Sequence, residues 1–503
     1  MSLDVVSQKG DLNVEVVDVT DDSRQVRPGT FFVAVKGTQV DGHEFIDKAC
    51  AQGAVGVMIS SSSREGGLAT VEETVPAVIG VEDTRAALGQ VASCFWKEPS
   101  RALTMIGVTG TNGKTTVTHL IKGLLETSAR KVGLLGTIGY FVGSEHFAAS
   151  HTTPGPVALQ ALLGKMVEAG ADSAVLEVSS HALAMDRVAG CEFDIVVFTN
   201  LTQDHLDFHQ TMEEYFQAKL QLFQQYVMSK TKATPKRTIV NIDDKWGKQI
   251  LQQSAAPTWS YSIQGSADIQ ATDLSLSIDG TTFTALTPIG SMPVRTSLVG
   301  EHNVYNILAA IGVGVECGLT VKMIQQGISK FGSVPGRFEL VKEGQDFAVV
   351  VDYAHTEDAL ERLLAAAHAL KKGRIITVFG CGGDRDRGKR PKMGQVAAKN
   401  SDLVFVTSDN PRTEDPSAIM HDIERGIAAL PETQRASYRM IPDRREAIYA
   451  AIQEAGPQNM VLIAGKGHED YQIIGVQRLH FDDREVVREA LASRLKAGEG
   501  STE

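Results

Sequence analysis

The hydrophobic residues of this chain cluster in short runs that alternate with polar loops and helix-period stretches. The run Leu103–Val108 ends in a glycine-rich loop, and apolar residues then recur at helical spacing over Val117–Leu125. Two further runs, Ala174–Val178 and Ile195–Asn200, each precede polar residues and a helical segment. Because strands and helices alternate here, we expect an α/β fold with a mostly parallel central sheet.

The pattern changes twice further along the chain. Over Asp268–Val299, apolar and polar residues alternate at period two around an Asp279-Gly280 hairpin signal, which predicts an antiparallel excursion of the central sheet. A Pro-Gly pair within Val334–Arg337 then breaks the helical pattern. The buried strands predicted after this break are Phe347–Val351, Ile375–Phe379, Leu403–Thr407 and Met460–Ala464. They predict a smaller C-terminal α/β domain of the Rossmann-like kind.

The length of 503 residues, at roughly 100–200 residues per domain, predicts about three domains. The first hundred residues contain the apolar runs Thr30–Val35 and Val55–Ile59, and Lys97–Ser100 is interpreted as an exposed linker. We therefore expect domains over residues 1–100, 101–334 and 335–503.

The charge and the cysteines narrow the classes of partner and compartment. Lys and Arg total 49 against 61 Asp and Glu, and the net charge of −12 disfavours nucleic acid and anionic lipid as partners. The five cysteines lie far apart, without a C-x-x-C pair, which is typical of a reducing compartment. The N-terminus resembles no signal peptide, and no apolar run is long enough to span a bilayer. We expect a cytoplasmic protein that does not insert into membranes.

The loop before the first predicted helix has the composition of a phosphate-binding loop. Strand, loop and helix occur in the required order, so backbone N–H groups and the helix N-terminus would surround an anion. Lys114 would reach the terminal phosphates of a nucleotide, and the Thr115 hydroxyl would bind Mg²⁺. Val108 stands where the usual motif has its first glycine. The alternative is a glycine turn with an incidental lysine. The residues assigned to the loop are Gly110, Thr111, Asn112, Gly113, Lys114, Thr115 and Thr116.

Two residues further along are candidate metal ligands, and a third, a lysine, lies in an unusual apolar setting. Glu177 ends a predicted strand, where its carboxylate would face the ligand-binding edge of the sheet. His205 lies in a loop rich in imidazole and carboxylate, although Mg²⁺ prefers oxygen ligands and a hydrogen-bonded loop histidine is the commoner case. Lys219 lies among apolar residues of an amphipathic helix, which is also typical of an aliphatic stem that extends to solvent.

Taken together, these motifs resemble the Mur ligase family of peptidoglycan synthesis over nearly the whole chain. The matching segments are TGTNGKTT, EVSSHAL, FTNLTQDHLDFH, YFQAKLQLF, GEHNVYN, VPGRFE, VVDYAHTEDAL, FGCGGDRDRGKRPKMG, TSDNPRTEDP and AGKGHEDYQ. The resemblance implies an N-terminal domain for the UDP end of the substrate, a central ATPase and a C-terminal domain that closes over the nucleotide. It also implies amide synthesis in which ATP phosphorylates a carboxylate and an amine then displaces the phosphate.

The resemblance also implies roles for single residues. It implies catalytic roles for Lys114, Glu177, His205 and Lys219, with Mg²⁺ held by Thr115, Glu177, His205 and a carbamate formed on Lys219. It favours these roles over the loop-histidine and extended-stem alternatives. Further implied ATP contacts are Asn303, Arg337 and Asp352, although a buried structural asparagine is nearly as common at Asn303. The implied contacts of the UDP-substrate are Ser23, Thr152, Thr153, Ser179 and Arg187.

The segment Asp409-Asn410-Pro411-Arg412 distinguishes the family members by the amino acid that they add. In the family this segment accompanies meso-diaminopimelate, which has one carboxylate more than lysine, and a guanidinium pairs with a carboxylate through two hydrogen bonds. The remaining implied contacts of diaminopimelate are Arg385, Gly465 and Glu469. Without the other motifs, the segment would be interpreted as an ordinary Asn-Pro turn.

The resemblance therefore implies a ligase of small-molecule substrates: ATP, a UDP-N-acetylmuramoyl dipeptide and meso-diaminopimelate. We expect it to be a monomer. Alternatives within the same class are a relative that adds L-lysine and a folylpolyglutamate synthase, and the Asp409–Arg412 segment argues against both. An alternative of another class is a nucleotide-binding regulator without turnover. The presence of Lys114, Glu177, His205 and Lys219 argues against it.

Overall fold

The computed structural model describes residues 3–37, 40–61, 77–227, 232 and 236–499. Contacts between residues divide the chain into two compact units. Unit 1 comprises Met1–Leu201, His205–Ile269 and Ala309–Ile324, and unit 2 comprises Thr202–Asp204, Gln270–Leu308 and Gln325–Glu503. In the described part of the chain, no helix is both long and apolar enough to cross a lipid bilayer.

Unit 1 begins with a five-stranded sheet in the order β1-β5-β4-β3-β2. Its strands are β1 (Val5–Gly10), β2 (Asp18–Thr20), β3 (Thr30–Val33), β4 (Gly56–Ser60) and β5 (Ala77–Val81). Only β1 is antiparallel to its neighbour. This part of the chain also contains helices α1 (Ile46–Ala51) and α2 (Thr84–Phe95). The apolar runs predicted near Thr30 and Val55 form the central strands β3 and β4, because their side chains are buried on both faces.

The second sheet of unit 1 has the order β13-β12-β11-β6-β10-β7-β8-β9. Its strands are β6 (Thr104–Thr109), β7 (Val132–Leu135), β8 (Tyr140–Val142), β9 (Glu145–Phe147), β10 (Ser173–Glu177), β11 (Ile195–Phe198), β12 (Arg237–Asn241) and β13 (Thr258–Ser262). All pairs except those of β8 and β9 are parallel, as predicted.

The helices around this sheet follow its strands in chain order. They are α3 (Lys114–Glu126), α4 (Pro156–Glu168), α5 (Ser180–Ala184), α6 (Leu206–His209), α7 (Met212–Gln221) and α8 (Lys245–Gln253). A π-helical turn, Leu222–Tyr226, continues α7. The carboxyl ends of β6, β10 and β11 therefore each open into a loop and then a helix, which is the edge where α/β proteins bind ligands.

The predicted antiparallel excursion is a three-stranded meander of β14 (Ile269–Ser277), β15 (Gly280–Thr287) and β16 (Gly290–Thr296). Ser277 pairs with Gly280, so Ile278 and Asp279 form the turn and the predicted hairpin is shifted by one residue. Gly280 opens the next strand with φ of 140°, a conformation that favours glycine. Helices α9 (Glu301–Glu316) and α10 (Val321–Lys330) follow the meander.

The C-terminal part of unit 2 contains a six-stranded sheet in the order β17-β18-β22-β19-β20-β21. Its strands are β17 (Glu339–Leu340), β18 (Ala348–Asp352), β19 (Ile375–Phe379), β20 (Leu403–Val406), β21 (Ser437–Met440) and β22 (Met460–Ala464). The last elements include a separate hairpin of β23 (Tyr471–Ile474) and β24 (Gln477–His480). The helices are α11 (Glu357–Leu370), α12 (Lys389–Asn400), α13 (Pro416–Ala428), α14 (Arg444–Glu454) and α15 (Asp483–Glu499). This is the predicted Rossmann-like α/β arrangement.

The prediction of an exposed linker at Lys97–Ser100 is wrong in its second half. Lys97 and Glu98 are left-handed, with φ of 59° and 53°, and turn the chain into a short 3₁₀ helix over Pro99–Arg101. Pro99 and Ser100 are buried, and the Ser100 carbonyl accepts a hydrogen bond from Lys232 at 2.9 Å. Polar composition suggested a linker, whereas backbone hydrogen bonds hold the segment within unit 1.

Candidate active site

The predicted phosphate loop connects β6 to α3 in unit 1. Gly110 has φ of 144°, and a Cβ there would lie 1.9 Å from the Thr199 hydroxyl, so only glycine fits. Gly113 is the left-handed N-cap of α3. Lys114 Nζ donates to the carbonyls of Gly110 and Thr111 at 2.9 and 2.8 Å, which places an ammonium at the loop.

The structure explains why the usual first glycine is absent. Val108 is fully buried inside β6 and pairs with Glu177 of β10. The strand therefore continues through the position where other loops begin, and the turn starts at Gly110. Asn112 N–H donates to the Asn200 side chain at 3.0 Å, so the loop after β11 supports the short turn.

Glu177 lies beside this loop, as predicted from its place at the end of β10. Its carboxylate is 1% exposed and accepts hydrogen bonds from the Thr115 hydroxyl at 3.1 Å and from the N–H and hydroxyl of Thr137 at 2.9 and 3.1 Å. A Cβ at Gly136 would lie 2.3 Å from Glu177 Oε1. Thr137, which the sequence analysis missed, follows β7 at the same edge of the sheet, and this position was the available signal.

Lys219 is buried and points to the phosphate loop. Its side chain is 1% exposed, its Nζ donates to the Gly110 carbonyl at 2.9 Å, and the ammonium lies 4.6 Å from the centre of the Tyr215 ring. Tyr215 OH lies 3.2 Å from the Thr111 hydroxyl. The alternative of a stem extending to solvent is therefore wrong.

Three histidines gather around Tyr215 and Phe208: His181 on α5, His205 directly before α6 and His209 at the end of α6. The rings of His205 and His181 have centres 4.7 Å apart in a T-shaped arrangement, and His181 also packs on Phe208 at 4.3 Å. His205 has φ of 55° and begins α6. His209 stacks on Tyr215, and burial, with smaller contributions from His181 and Lys219, lowers the pKa of His209 to about 4. His209 is therefore neutral at physiological pH.

Four of the five residues expected at the UDP-substrate lie together beside Glu177. The Thr153 hydroxyl donates to the Glu177 carbonyl at 2.8 Å and accepts the Ser179 N–H at 3.1 Å. Arg187 Nη1 donates to the Thr153 carbonyl at 3.1 Å, and the Thr152 hydroxyl lies 3.1 Å from that of Thr137. The fifth, Ser23, is buried in the loop after β2 and shares no hydrogen bond with them in the described part of the chain.

In unit 2, Asn410 and Glu469 form a hydrogen-bonded polar cluster with a lysine that the sequence analysis missed. The Asn410 amide donates to Glu469 Oε2 at 2.9 Å. Lys466, which is fully buried, donates to Asn410 Oδ1 and to Glu469 Oε2, each at 3.2 Å. Burial raises the pKa of Glu469, and the Lys466 charge opposes that rise. Gly465 allows Asp409 to approach, since a Cβ there would lie 2.7 Å from Asp409 Oδ2.

Arg412 lies beside this cluster, with its Nη1 3.4 Å from the Asn410 carbonyl and its backbone held by the β23–β24 hairpin. Its N–H donates to the Ile473 carbonyl at 3.0 Å, and its carbonyl accepts from the Gly475 N–H at 2.7 Å. Its φ of 53° is left-handed, and its Nη1 donates to the Gly383 carbonyl at 2.8 Å. Pro411 fits this irregular path, and Arg385 is exposed, with Nη1 donating to Asp384 in its own loop at 3.0 Å.

The three residues of unit 2 that were expected to contact ATP differ in their protein contacts. The Arg337 guanidinium lies 4.5 Å from the centre of the Tyr353 ring. Asp352 ends β18 and accepts the N–H groups of Phe338 and Ala354 at 2.7 and 2.8 Å, and burial raises its pKa against the effect of Arg337. The Asn303 side chain donates to the Val299 carbonyl and accepts from Asn306, so both ends of its amide have protein partners.

Comparisons with known proteins match Mur ligases along nearly the whole chain. The Mur ligase family catalytic domain matches residues 15–96, the Mur ligase middle domain residues 108–314, and the Mur ligase glutamate ligase domain residues 336–467. A relative from Gloeobacter violaceus, named UDP-N-acetylmuramoyl-L-alanyl-D-glutamate--2,6-diaminopimelate ligase, is 49% identical over 97% of this chain and 96% of its own length. The protein of that name from Bacillus cereus is 45% identical over 96% of this chain and 95% of its own length. A solved structure of a ligase with this name covers 95% of both chains at 34% identity, with a TM-score of 0.69.

Proposed function

The chain belongs to the Mur ligase family, and on this premise we propose that it is the ATP-dependent ligase that adds meso-2,6-diaminopimelate to UDP-N-acetylmuramoyl-L-Ala-D-Glu in peptidoglycan synthesis. The resemblance identified from the motifs is thereby confirmed. The observation that carries the choice of amino acid is the cluster of Asn410, Lys466 and Glu469 with Arg412 beside it, which brings two cations and one carboxylate together.

In the proposed reaction, an oxygen of the D-Glu γ-carboxylate attacks the γ-phosphorus of ATP and ADP leaves. An amine of diaminopimelate then attacks the acyl carbon, loses a proton and displaces inorganic phosphate. Lys114 would exchange its bonds to Gly110 and Thr111 for the terminal phosphate oxygens, where negative charge develops during transfer. The N-terminus of α3 would stabilise the same phosphates through its N–H groups.

The residues at the loop also fit Mg²⁺. The Thr115 hydroxyl and the Glu177 carboxylate supply two oxygen atoms 3.1 Å apart, and oxygen is the ligand that Mg²⁺ prefers. In the described residues no three His, Cys, Asp or Glu side chains could hold a metal by themselves, so the proposed set of Thr115, Glu177, His205 and carbamylated Lys219 needs its hydroxyl and carbamate. When bound, Mg²⁺ neutralises phosphate charge.

The buried site of Lys219 supports its proposed carbamate. Carbon dioxide reacts with a neutral amine, and burial disfavours the charged form of a lysine. The ammonium first loses one proton; the neutral amine nitrogen then forms a bond to the carbon of carbon dioxide and loses a second proton, so that overall a cation becomes an anion and two protons are released. The group facing the metal would then be an oxygen ligand instead of an ammonium that repels the metal.

The remaining roles follow the three proposed domains, 1–100, 101–334 and 335–503. Ser23, Thr152, Thr153, Ser179 and Arg187 would bind the UDP-substrate, and the guanidinium of Arg187 is half-buried and suited to a phosphate or carboxylate. Arg337 and Asp352 would bind the phosphates and ribose of ATP. The proposed adenine contact of Asn303 requires that its amide give up a protein partner.

The proposed pocket for diaminopimelate comprises Arg385, Asp409, Asn410, Pro411, Arg412, Gly465 and Glu469. Arg412 would pair with the carboxylate that distinguishes diaminopimelate from lysine, and Glu469 would accept the distal ammonium. The protein would act in the cytoplasm as a monomer, since one chain carries the proposed contacts of all three substrates. Its mass in solution, measured by light scattering, tests the monomer.

Phosphate release and product mass together test the proposed function. With ATP and UDP-N-acetylmuramoyl-L-Ala-D-Glu, we expect phosphate release only after meso-diaminopimelate is added. A mixture of meso-diaminopimelate, L-lysine and L-ornithine should give one product, with the mass of the diaminopimelate adduct. A lysine adduct would identify the lysine-adding alternative. A product formed in a separate assay with tetrahydrofolate and L-glutamate would identify the folylpolyglutamate synthase. Nucleotide binding without any product would identify the regulator.

A further inference from the structure

Beneath the proposed diaminopimelate pocket lies an ion pair that the mechanism above does not use. Arg444, the first residue of α14, and Asp483, the first residue of α15, have side chains that are 0% exposed. Their two hydrogen bonds are parallel, Nε to Oδ1 at 2.8 Å and Nη2 to Oδ2 at 2.7 Å. A buried pair of this kind does not by itself stabilise a fold more than apolar residues of similar volume would, so its position calls for another explanation.

The guanidinium of Arg444 also donates to two backbone carbonyls. Its Nη2 contacts the Ala464 carbonyl at 3.0 Å, and its Nη1 contacts the Ser408 carbonyl at 3.4 Å. Ser408 immediately precedes Asp409, and Ala464 immediately precedes Gly465. One side chain therefore bridges the starts of the two segments that carry most of the proposed pocket.

In the described part of the chain these two segments do not extend neighbouring strands, although the hairpin that follows Glu469 holds Arg412 through its backbone. They follow β20 and β22, and β19 lies between these two strands in the sheet. Beyond the strands, the segments meet through side chains, at Asn410 with Glu469 and Lys466. The Arg444 charge also attracts Asp409 and Glu469, which limits the repulsion between these two carboxylates.

We propose that Arg444, oriented by Asp483, is a positioning residue that sets the spacing of the Asp409–Arg412 and Gly465–Glu469 segments and thereby the affinity for the amino-acid substrate. The inference rests on the proposed function for the identity of that substrate. Arg444 acts through the backbone and does not touch the substrate. Diaminopimelate would need contacts from both segments at once, so a change in their spacing weakens its binding more than that of ATP or the UDP-substrate.

Two variants and one control separate positioning from stability. Arg444→Lys keeps the charge but loses the planar fork that reaches two carbonyls. The double variant Arg444→Met/Asp483→Leu replaces the buried pair with apolar side chains, which such sites tolerate without loss of folding. Leu491→Ala is the control, because Leu491 is fully buried on α15 in the core cluster of Ile448 and Ala451 and its loss destabilises the same packing.

The readouts are KM for each substrate and hydrogen–deuterium exchange of backbone amides, both below the melting temperature of every variant. We expect both Arg444 variants to raise KM for diaminopimelate by about tenfold or more, because small misplacements of binding groups are costly, while KM for ATP changes little. Amide exchange should quicken in residues 407–412 and 464–469 together. The Leu491→Ala variant should lower the melting temperature without either effect.

Three results would overturn the inference. The first is wild-type KM and exchange in both Arg444 variants, and the second is an equal rise in KM for the Leu491→Ala control. The third, exchange that quickens in one segment alone, would contradict a shared support. The exchange readout needs no substrate, so it decides whether Arg444 supports both segments even if the wild-type protein fails to consume diaminopimelate, which would refute only the proposed function.

Discussion

Replacing Arg412 with lysine tests the proposal that the third substrate is meso-diaminopimelate. In the structure, the Nη1 group of Arg412 donates to the Gly383 carbonyl, and the described residues offer no hydrogen-bond acceptor to its Nε and Nη2. Those two donors form the fork that a carboxylate requires. A lysine keeps the positive charge but has one ammonium, which cannot bind both Gly383 and a carboxylate in this geometry.

The expected loss follows from the removal of a charge-assisted pair. Such a loss costs about 2–5 kcal/mol, or roughly 30-fold to several-thousand-fold in binding. We expect KM for diaminopimelate to rise within this range in Arg412→Lys and at least as much in Arg412→Ala. The parameters for ATP and the UDP-substrate should change little. Use of lysine need not appear, because removal of one attraction creates no other.

The assay is phosphate release at varied diaminopimelate, with product masses checked. Arg387→Lys is the matched control, since Arg387 is exposed and pairs with Glu414 at 3.0 Å outside the proposed pocket. It should keep wild-type KM. If Arg412→Lys and Arg412→Ala also keep wild-type KM, Arg412 is a turn residue and the assignment of diaminopimelate loses its structural support.

Three further predictions concern the phosphate loop, Lys219 and acid stability. Gly110→Ala should abolish ATP-dependent turnover, because its Cβ would lie 1.9 Å from Thr199 Oγ1; nucleotide binding measured by calorimetry should weaken equally, and unchanged binding would contradict this. Lys219→Ala should nearly abolish ligation, and added short carboxylates should restore part of the rate as oxygen ligands; near-normal activity without them would refute the carbamate. Hydrogen bonds from Arg390 lower the pKa of Glu414 from 4.5 to about 2, so its contribution to stability is full above pH 4.5 and is lost as the pH falls toward 2. The melting temperature of wild type should accordingly exceed that of Glu414→Gln at pH 4.5, and the difference should shrink as the pH falls toward 2. A difference that stays constant over this range would refute the lowered pKa of Glu414.

The strands of the α/β domains could be predicted because they are buried on both faces. Continuous apolar runs then mark them, and Ile375–Phe379 and Met460–Ala464 have the predicted bounds. The proximity of Glu177 to Thr115 was predictable for a related reason. Parallel strands end at one edge of the sheet, so a carboxylate that ends one strand faces the loop of its neighbour.

Contacts between distant segments could not be predicted in the same way. The helical pattern around Lys219 is the same whether its ammonium reaches solvent or the Gly110 carbonyl, 109 positions earlier in the chain. The pairing of Arg444 with Asp483 spans 39 positions and leaves no periodic trace. Lys466 lies between Gly465 and Glu469 in the sequence, but only its hydrogen bonds in the structure show that it joins Glu469 to Asn410.

The backbone at Arg412 has a consequence for the divergence of ligases from a common ancestor. The hairpin holds this residue through its own N–H and carbonyl, which every amino acid except proline possesses. A mutation at this codon can therefore exchange one recognition group for another without rebuilding the loop that presents it. Such a position lets the recognition group change while the loop stays in place, and a new amino acid in the cell wall then requires that other residues add an attraction for it.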